Sequence, residues 1–179
     1  CLPDELKDQD LFDVPEFFNA VLKYATFVPV PTMMTRLDVL DKVGDFGWGK
    51  FASASDIDLY LRMARQWGPI GVINEPLHCY RISKGQETQV LNRNRTHLGD
   101  FYKSIDAHLE DSEEKNAVSE DSLEYYRMYK AADDMICALN LLVIGQVDEA
   151  DKRLRSCLNW RHFIKALKRP RTLIKLFVG

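Results

Sequence analysis

The segment Ser55–Trp67 constrains the fold most. Ile57, Tyr60, Leu61, Ala64 and Trp67 recur at helical spacing, and Gly68-Pro69 ends the run. An amphipathic helix of this length has to lay its apolar face on neighbouring elements. Asp56 and Asp58 stand in its first turn and Arg62 and Arg65 further on, as the helix dipole favours. Upstream, residues 14–25 predict a shorter helix with Asp13 as N-cap and Phe17, Phe18, Val21, Leu22 and Ala25 on its inner face. Residues 26–35 are β-branched and apolar but broken by Pro29 and Pro31, which predicts an extended stretch leading into an edge strand. Leu37–Val43 predicts another helical turn or two, closed by Gly44. An irregular loop rich in glycine and aromatics follows over residues 44–54.

After Gly68-Pro69, residues 70–74 and 77–82 predict two short strands around Glu75-Pro76, then a polar loop over 83–88. Residues 92–109 predict a helix, and the acidic stretch 110–121 a linker. Beyond it, Tyr126, Tyr129, Ala132, Ile136, Leu139 and Val143 form a helical stripe within 123–144. Gly145 breaks that helix, and residues 148–158 predict a second, with Ala150, Leu154 and Leu158 facing inward. The pair resembles one unit of a tetratricopeptide array, but such repeats bury their cores only by stacking, so one unit predicts no solenoid. The expected fold class is α+β and mostly helical. Its expected parts are residues 1–109 with a few short strands, a linker over 110–121, and a helical extension over 122–179.

Hydrophobic residues make up 46% of the 179, enough for a substantial core. A net charge of -3 disfavours nucleic acid as a partner, and no apolar run approaches the roughly 20 residues a membrane-spanning helix needs. Cys1, Cys79, Cys137 and Cys157 lie far apart without a CxxC pair, so a reducing, cytoplasmic setting is expected. The opening Cys-Leu-Pro-Asp-Glu lacks an initiator Met and the layout of a signal peptide, which predicts a piece of something longer. The charge is also uneven. Asp4, Glu5, Asp8, Asp10, Asp13 and Glu16 crowd the start, whereas residues 152–179 contain basic residues and no acidic one.

Two motifs carry chemistry. Gly44 to Lys50 satisfies the first seven positions of a P-loop, but Phe51 stands where the magnesium-binding Ser or Thr belongs and a helical segment precedes the glycines, so no P-loop is expected. Phe46 and Trp48 can instead present a flat apolar platform to the C–H face of a sugar, or pin the loop to the core. Asp56 and Asp58 fit capping carboxylates, and equally a reactive carboxylate placed at the exit of that loop.

The runs Pro31–Arg36, Val39–Phe46, Ser55–Arg62 and Glu75–Arg81 together resemble the C-terminal half of a family 2 glycosyltransferase with the GT-A fold. In that family a strand ending in arginine, "vGgFde", a Glu-Asp motif with "DLxLR", and "PLxxYR" follow in this order. The resemblance covers residues 17–88. It implies a fragment of an inverting enzyme, bacterial and serving polysaccharide biosynthesis, that moves a sugar from a nucleotide-sugar donor to a saccharide or lipid-linked hydroxyl. Asp56 matches the general base, although Ser55 replaces the usual Glu. Phe46, Trp48 and Asp58 fall on the acceptor side, and partial desolvation or a carboxylate neighbour such as Asp58 is expected to raise the proton affinity of Asp56. Tyr80 and Arg81 fall by the donor diphosphate. Arg62 is expected as an ion-pair partner in helix–sheet packing.

The resemblance places the nucleotide-binding half, and the divalent Mg or Mn ion it holds, outside this sequence. No cofactor or metal ligand is therefore expected in the chain, where His78 is a lone histidine and His97, His108 and His162 carry no spacing signal. The basic amphipathic tail from Trp160 either packs on the hairpin or lies on an anionic membrane surface, which would place the protein at the inner face of the membrane. A non-catalytic helical interaction or membrane-surface module is the alternative function.

Overall fold

The computed structural model describes residues 2–46, 50–79, 81, 83, 95–111 and 117–157. Trp48, Tyr80, Leu158 and the basic tail lie outside them. The fold is α+β and mostly helical. Its described elements are β1 (Leu11–Phe12), α1 (Val14–Tyr24), α2 (Leu37–Val43), α3 (Ser55–Trp67), β2 (Ile70–Gly71), α4 (Asp100–Leu109), α5 (Glu120–Val143) and α6 (Val147–Cys157). Two compact units result, Cys1–Arg81 with Asp100–Leu123, and Ile82–Gly99 with Glu124–Gly179.

The first unit is built around α3, against which α1, α2 and α4 pack. Its core holds Phe12, Phe17, Val21, Leu22, Leu59 and Ile105. Asp13 starts α1 through a capping box: its side chain accepts the Glu16 N–H at 2.8 Å, and Glu16 reaches back to the Asp13 N–H at 3.1 Å. Gly44 and Gly68 end α2 and α3 with φ of 88° and 89°, conformations that suit glycine. The expected inner face of α3 is buried except at Trp67, which is 38% exposed and lies under the Lys42 ammonium at 4.4 Å.

The strands differ from expectation. Only Ile70 and Gly71 of the 70–74 segment pair, antiparallel with Phe12 and Leu11. The described residues 77–79 and 81 form no strand. Residues 26–35 contain no strand either. Pro29 and Pro31 instead set a 3-10 turn over Val30–Thr32, because fixed proline φ suits a turn and missing N–H groups weaken a ladder. Helix α4 begins at Asp100 rather than at 92, the described residues 95–99 being irregular.

In the second unit, Gly145 (φ 81°) separates α5 from α6. The face of α5 turned inward carries Met128, Ala132, Cys137, Ala138 and Leu141, whereas the expected stripe ends outward, with Leu139 and Val143 exposed. Ala150 of α6 is buried as expected. The charge pairs Arg95 with Asp133, and Arg153 with Asp134 at 2.7 Å, lie within this unit.

Candidate functional site

Asp56 sits in the first turn of α3 and is half-buried. Its Oδ1 accepts the Ile57 N–H at 2.9 Å. Burial pushes its carboxyl above the ordinary carboxylate range, against the opposite pull of the Ile57 N–H and its own backbone amide. Of the two expected causes, desolvation and a neighbouring Asp58, it is desolvation that raises the proton affinity of Asp56. One turn on, Tyr60 shares its side of the helix. The Tyr60 hydroxyl is buried and has no hydrogen-bond partner among the described residues. Burial first, and then the Asp56 charge, push that phenol up to about 12, so it stays protonated at neutral pH.

Asp58 points to protein groups. Its Oδ2 accepts Arg62 Nε at 2.8 Å and its Oδ1 lies 3.2 Å from His108 Nε2 of α4. With the side chain only 12% exposed and both oxygens engaged, the acceptor-binding place expected for Asp58 becomes an internal one. Arg62 forms the expected ion pair, but against a turn and a helix rather than a sheet: its Nη1 and Nη2 donate to the carbonyls of Val43 and Asp45 at 2.6 and 2.7 Å. His108, which sequence spacing did not single out, meets Asp58 across fifty residues of chain. Only the Asp58/Arg62 spacing of four had a local signal.

The loop that leads to Asp56 is anchored at its exit. Residues Ala52–Ala54 form a 3-10 turn, and Asp100 Oδ2 at the start of α4 accepts both Ser53 N–H and Ser53 Oγ–H, at 3.2 and 3.1 Å. Ser55 is buried with its hydroxyl donated to the Ala52 carbonyl at 3.5 Å, so it does not cap α3. Phe46 is half-buried at the other end of the loop and Arg81 is exposed. The structure thus gathers Asp56 with Tyr60, and Asp58 with Arg62, His108 and the 43–45 turn.

A cleft of about 320 Å³ opens beside the second group, lined by Lys42, Lys50, Arg65, His108 and Asp111 among others. Lys42, Arg65 and His108 stand in the last turns of α2, α3 and α4, where basic groups offset the negative helix ends, and Arg65 also pairs with Asp111 at 2.9 Å. Of the lining cations, Arg62 pairs with Asp58 and Arg65 with Asp111. The described residues contain no group of three His, Cys, Asp or Glu able to hold a metal ion. No described helix is long and apolar enough to cross a membrane. No protein-family model matches the chain, and no curated protein or solved structure matches it significantly.

Proposed function

We propose that the first unit is the acceptor-side part of an inverting glycosyltransferase, with Asp56 as general base. The observation that carries this reading is a half-buried carboxylate, raised in pKa by burial, that directly follows the glycine- and aromatic-rich sequence of residues 44–54. The ionised Asp56 takes the proton of an acceptor hydroxyl as its oxygen attacks the anomeric carbon of a nucleotide sugar. The new carbon–oxygen bond forms on one face while the bond to the diphosphate breaks on the other, so the configuration inverts. Tyr60, protonated beside it, is a donor and not a competing base. Arg81 is assigned to the donor diphosphate, the acceptor is a saccharide or a lipid-linked hydroxyl, and the setting is cytoplasmic.

The test is Asp56→Asn in the polypeptide that joins this chain to a nucleotide-binding half. Sugar transfer is expected to fall by about 10²–10⁴-fold, the usual worth of a positioned base. A loss of only a few-fold removes Asp56 from that role. A second reading, a helical module that serves a partner, is favoured by the exposed Leu142, Val143, Ile144 and Val147 at the α5–α6 turn. A reading frame that continues upstream through alternating strands and helices to a D-x-D motif decides for the enzyme, and one that lacks them decides for the module.

A further inference from the structure

Three elements of the first unit meet at the Arg62 guanidinium. Its Nε donates to Asp58 on its own helix at 2.8 Å, and its two Nη groups donate to the carbonyls of Val43 and Asp45 at 2.6 and 2.7 Å. The last carbonyls of a helix have no partner within it, so Arg62 satisfies the end of α2 and fixes the direction in which the chain leaves through Gly44. Asp58 is fixed in turn. Its other oxygen meets His108 Nε2 at 3.2 Å, and the His108 ring stands edge-on to Phe18 of α1 with centroids 6.3 Å apart.

The planar fork of arginine spans a carboxylate and two carbonyls at once, which a lysine ammonium does not. The segment so held, residues 43–46, opens the loop that carries Phe46. We propose that Arg62, held by Asp58 and His108, is a positioning residue that sets the path of this turn and hence the place of Phe46 for a saccharide acceptor. The inference rests on the glycosyltransferase reading and adds to it the residues that shape the acceptor side.

The test is Arg62→Lys in the isotopically labelled chain, followed by amide hydrogen exchange and by NMR titration with millimolar cellobiose, maltose and chitobiose. The Gly44 amide, which donates to the Leu40 carbonyl at 2.8 Å, reports on the turn. The helical amide of Leu22 in α1 reports on the fold. Gly44 exchange is expected to accelerate roughly tenfold or more, the factor for losing a charge-assisted hydrogen bond, with Leu22 unchanged. Saccharide affinity read at the Asp45 and Phe46 amides is expected to weaken by a similar factor.

Unchanged exchange at Gly44 overturns the clamp. Faster exchange with undiminished saccharide affinity overturns the positioning role. Should the wild-type chain give no saccharide response while Gly44 responds to the substitution, the glycosyltransferase reading fails and the acceptor role falls with it, although the clamp stands. If Leu22 exchange shows that Arg62→Lys has unfolded the unit, Asp58→Asn replaces it; this variant keeps the shape and removes the charge, and the same pair of responses is required of it.

Discussion

At the scale of single residues, the half-buried carboxylate of Asp56 carries a stability cost of definite sign. The folded-state pKa of Asp56 is raised, chiefly by burial. The folded chain therefore holds its proton to higher pH than the unfolded chain, and stability falls as pH rises from the unfolded value through the folded one. Asp56→Asn cannot ionise, so it is expected to melt a few degrees above the wild type at neutral pH, an advantage that shrinks towards about pH 4 as the native carboxyl protonates. Melting curves at both pH values check this, and a pH-independent difference counts against a desolvated carboxylate. Asp100 acts in the opposite sense. The Lys103 ammonium first, with the Ser53 N–H and hydroxyl, lowers its pKa, so its contribution is present above the unfolded value and lost as pH falls through the folded one. The place of Asp56 at a helix start was legible in the sequence because it is local, whereas Arg62 was expected to form an ion pair without Asp58 being named as its partner, although their spacing of four is a local signal. His108 was not, because its partner is set by how α4 packs on α3 and no spacing in the chain encodes that meeting.

At the scale of elements, the helices were legible where their ends carry their own chemistry. Asp13 and Glu16 close a capping box, so α1 starts where the residues indicate. Asp13→Ala is expected to cost about 1 kcal/mol by urea denaturation, the usual worth of an N-cap. The other end of α1 is less well matched. Ala25 has φ of 59° and ψ of -139°, a region in which a Cβ is crowded. Ala25→Gly is therefore expected to stabilise the chain by about 0.5–1 kcal/mol in the same assay, whereas destabilisation would mean that the unfolded-state entropy of glycine outweighs the relieved strain. Strands were poorly legible for a physical reason. Apolar, β-branched residues 26–35 read as a strand only if a neighbour offers a ladder, and two prolines turn the segment into a 3-10 turn instead. The inner face of α5 was legible in part, Tyr126 and Ala132 of the expected stripe being buried. Leu139 and Val143 continued the expected stripe, but the buried positions near them are Cys137, Ala138 and Leu141, because the facing elements and not the spacing alone select the inner face.

At the scale of the whole molecule, the units interleave along the sequence: residues 82–99 group with the second, and Asp100–Leu123 return to the first. An acidic stretch marks a composition change, but compact units are defined by which residues meet, and returning segments have no compositional mark. Each unit has its own buried apolar set, Leu59 and Ile105 in one, Cys137, Ala138 and Ala150 in the other. Cys79 is exposed and Cys137 is buried, and burial pushes the Cys137 thiol up. In a chain with Cys1 and Cys157 changed to serine, a thiol reagent is expected to label Cys79 at once and Cys137 only through opening of the second unit. Leu59→Ala, a core truncation worth about 2–5 kcal/mol, should then accelerate opening at Ile105 without changing the labelling of Cys137. Equal acceleration at both places would instead show that 179 residues open as one cooperative body. That outcome would tie the proposed acceptor site and the helical hairpin into a single folding event. Unequal acceleration leaves the hairpin free to serve a partner without loosening Asp56.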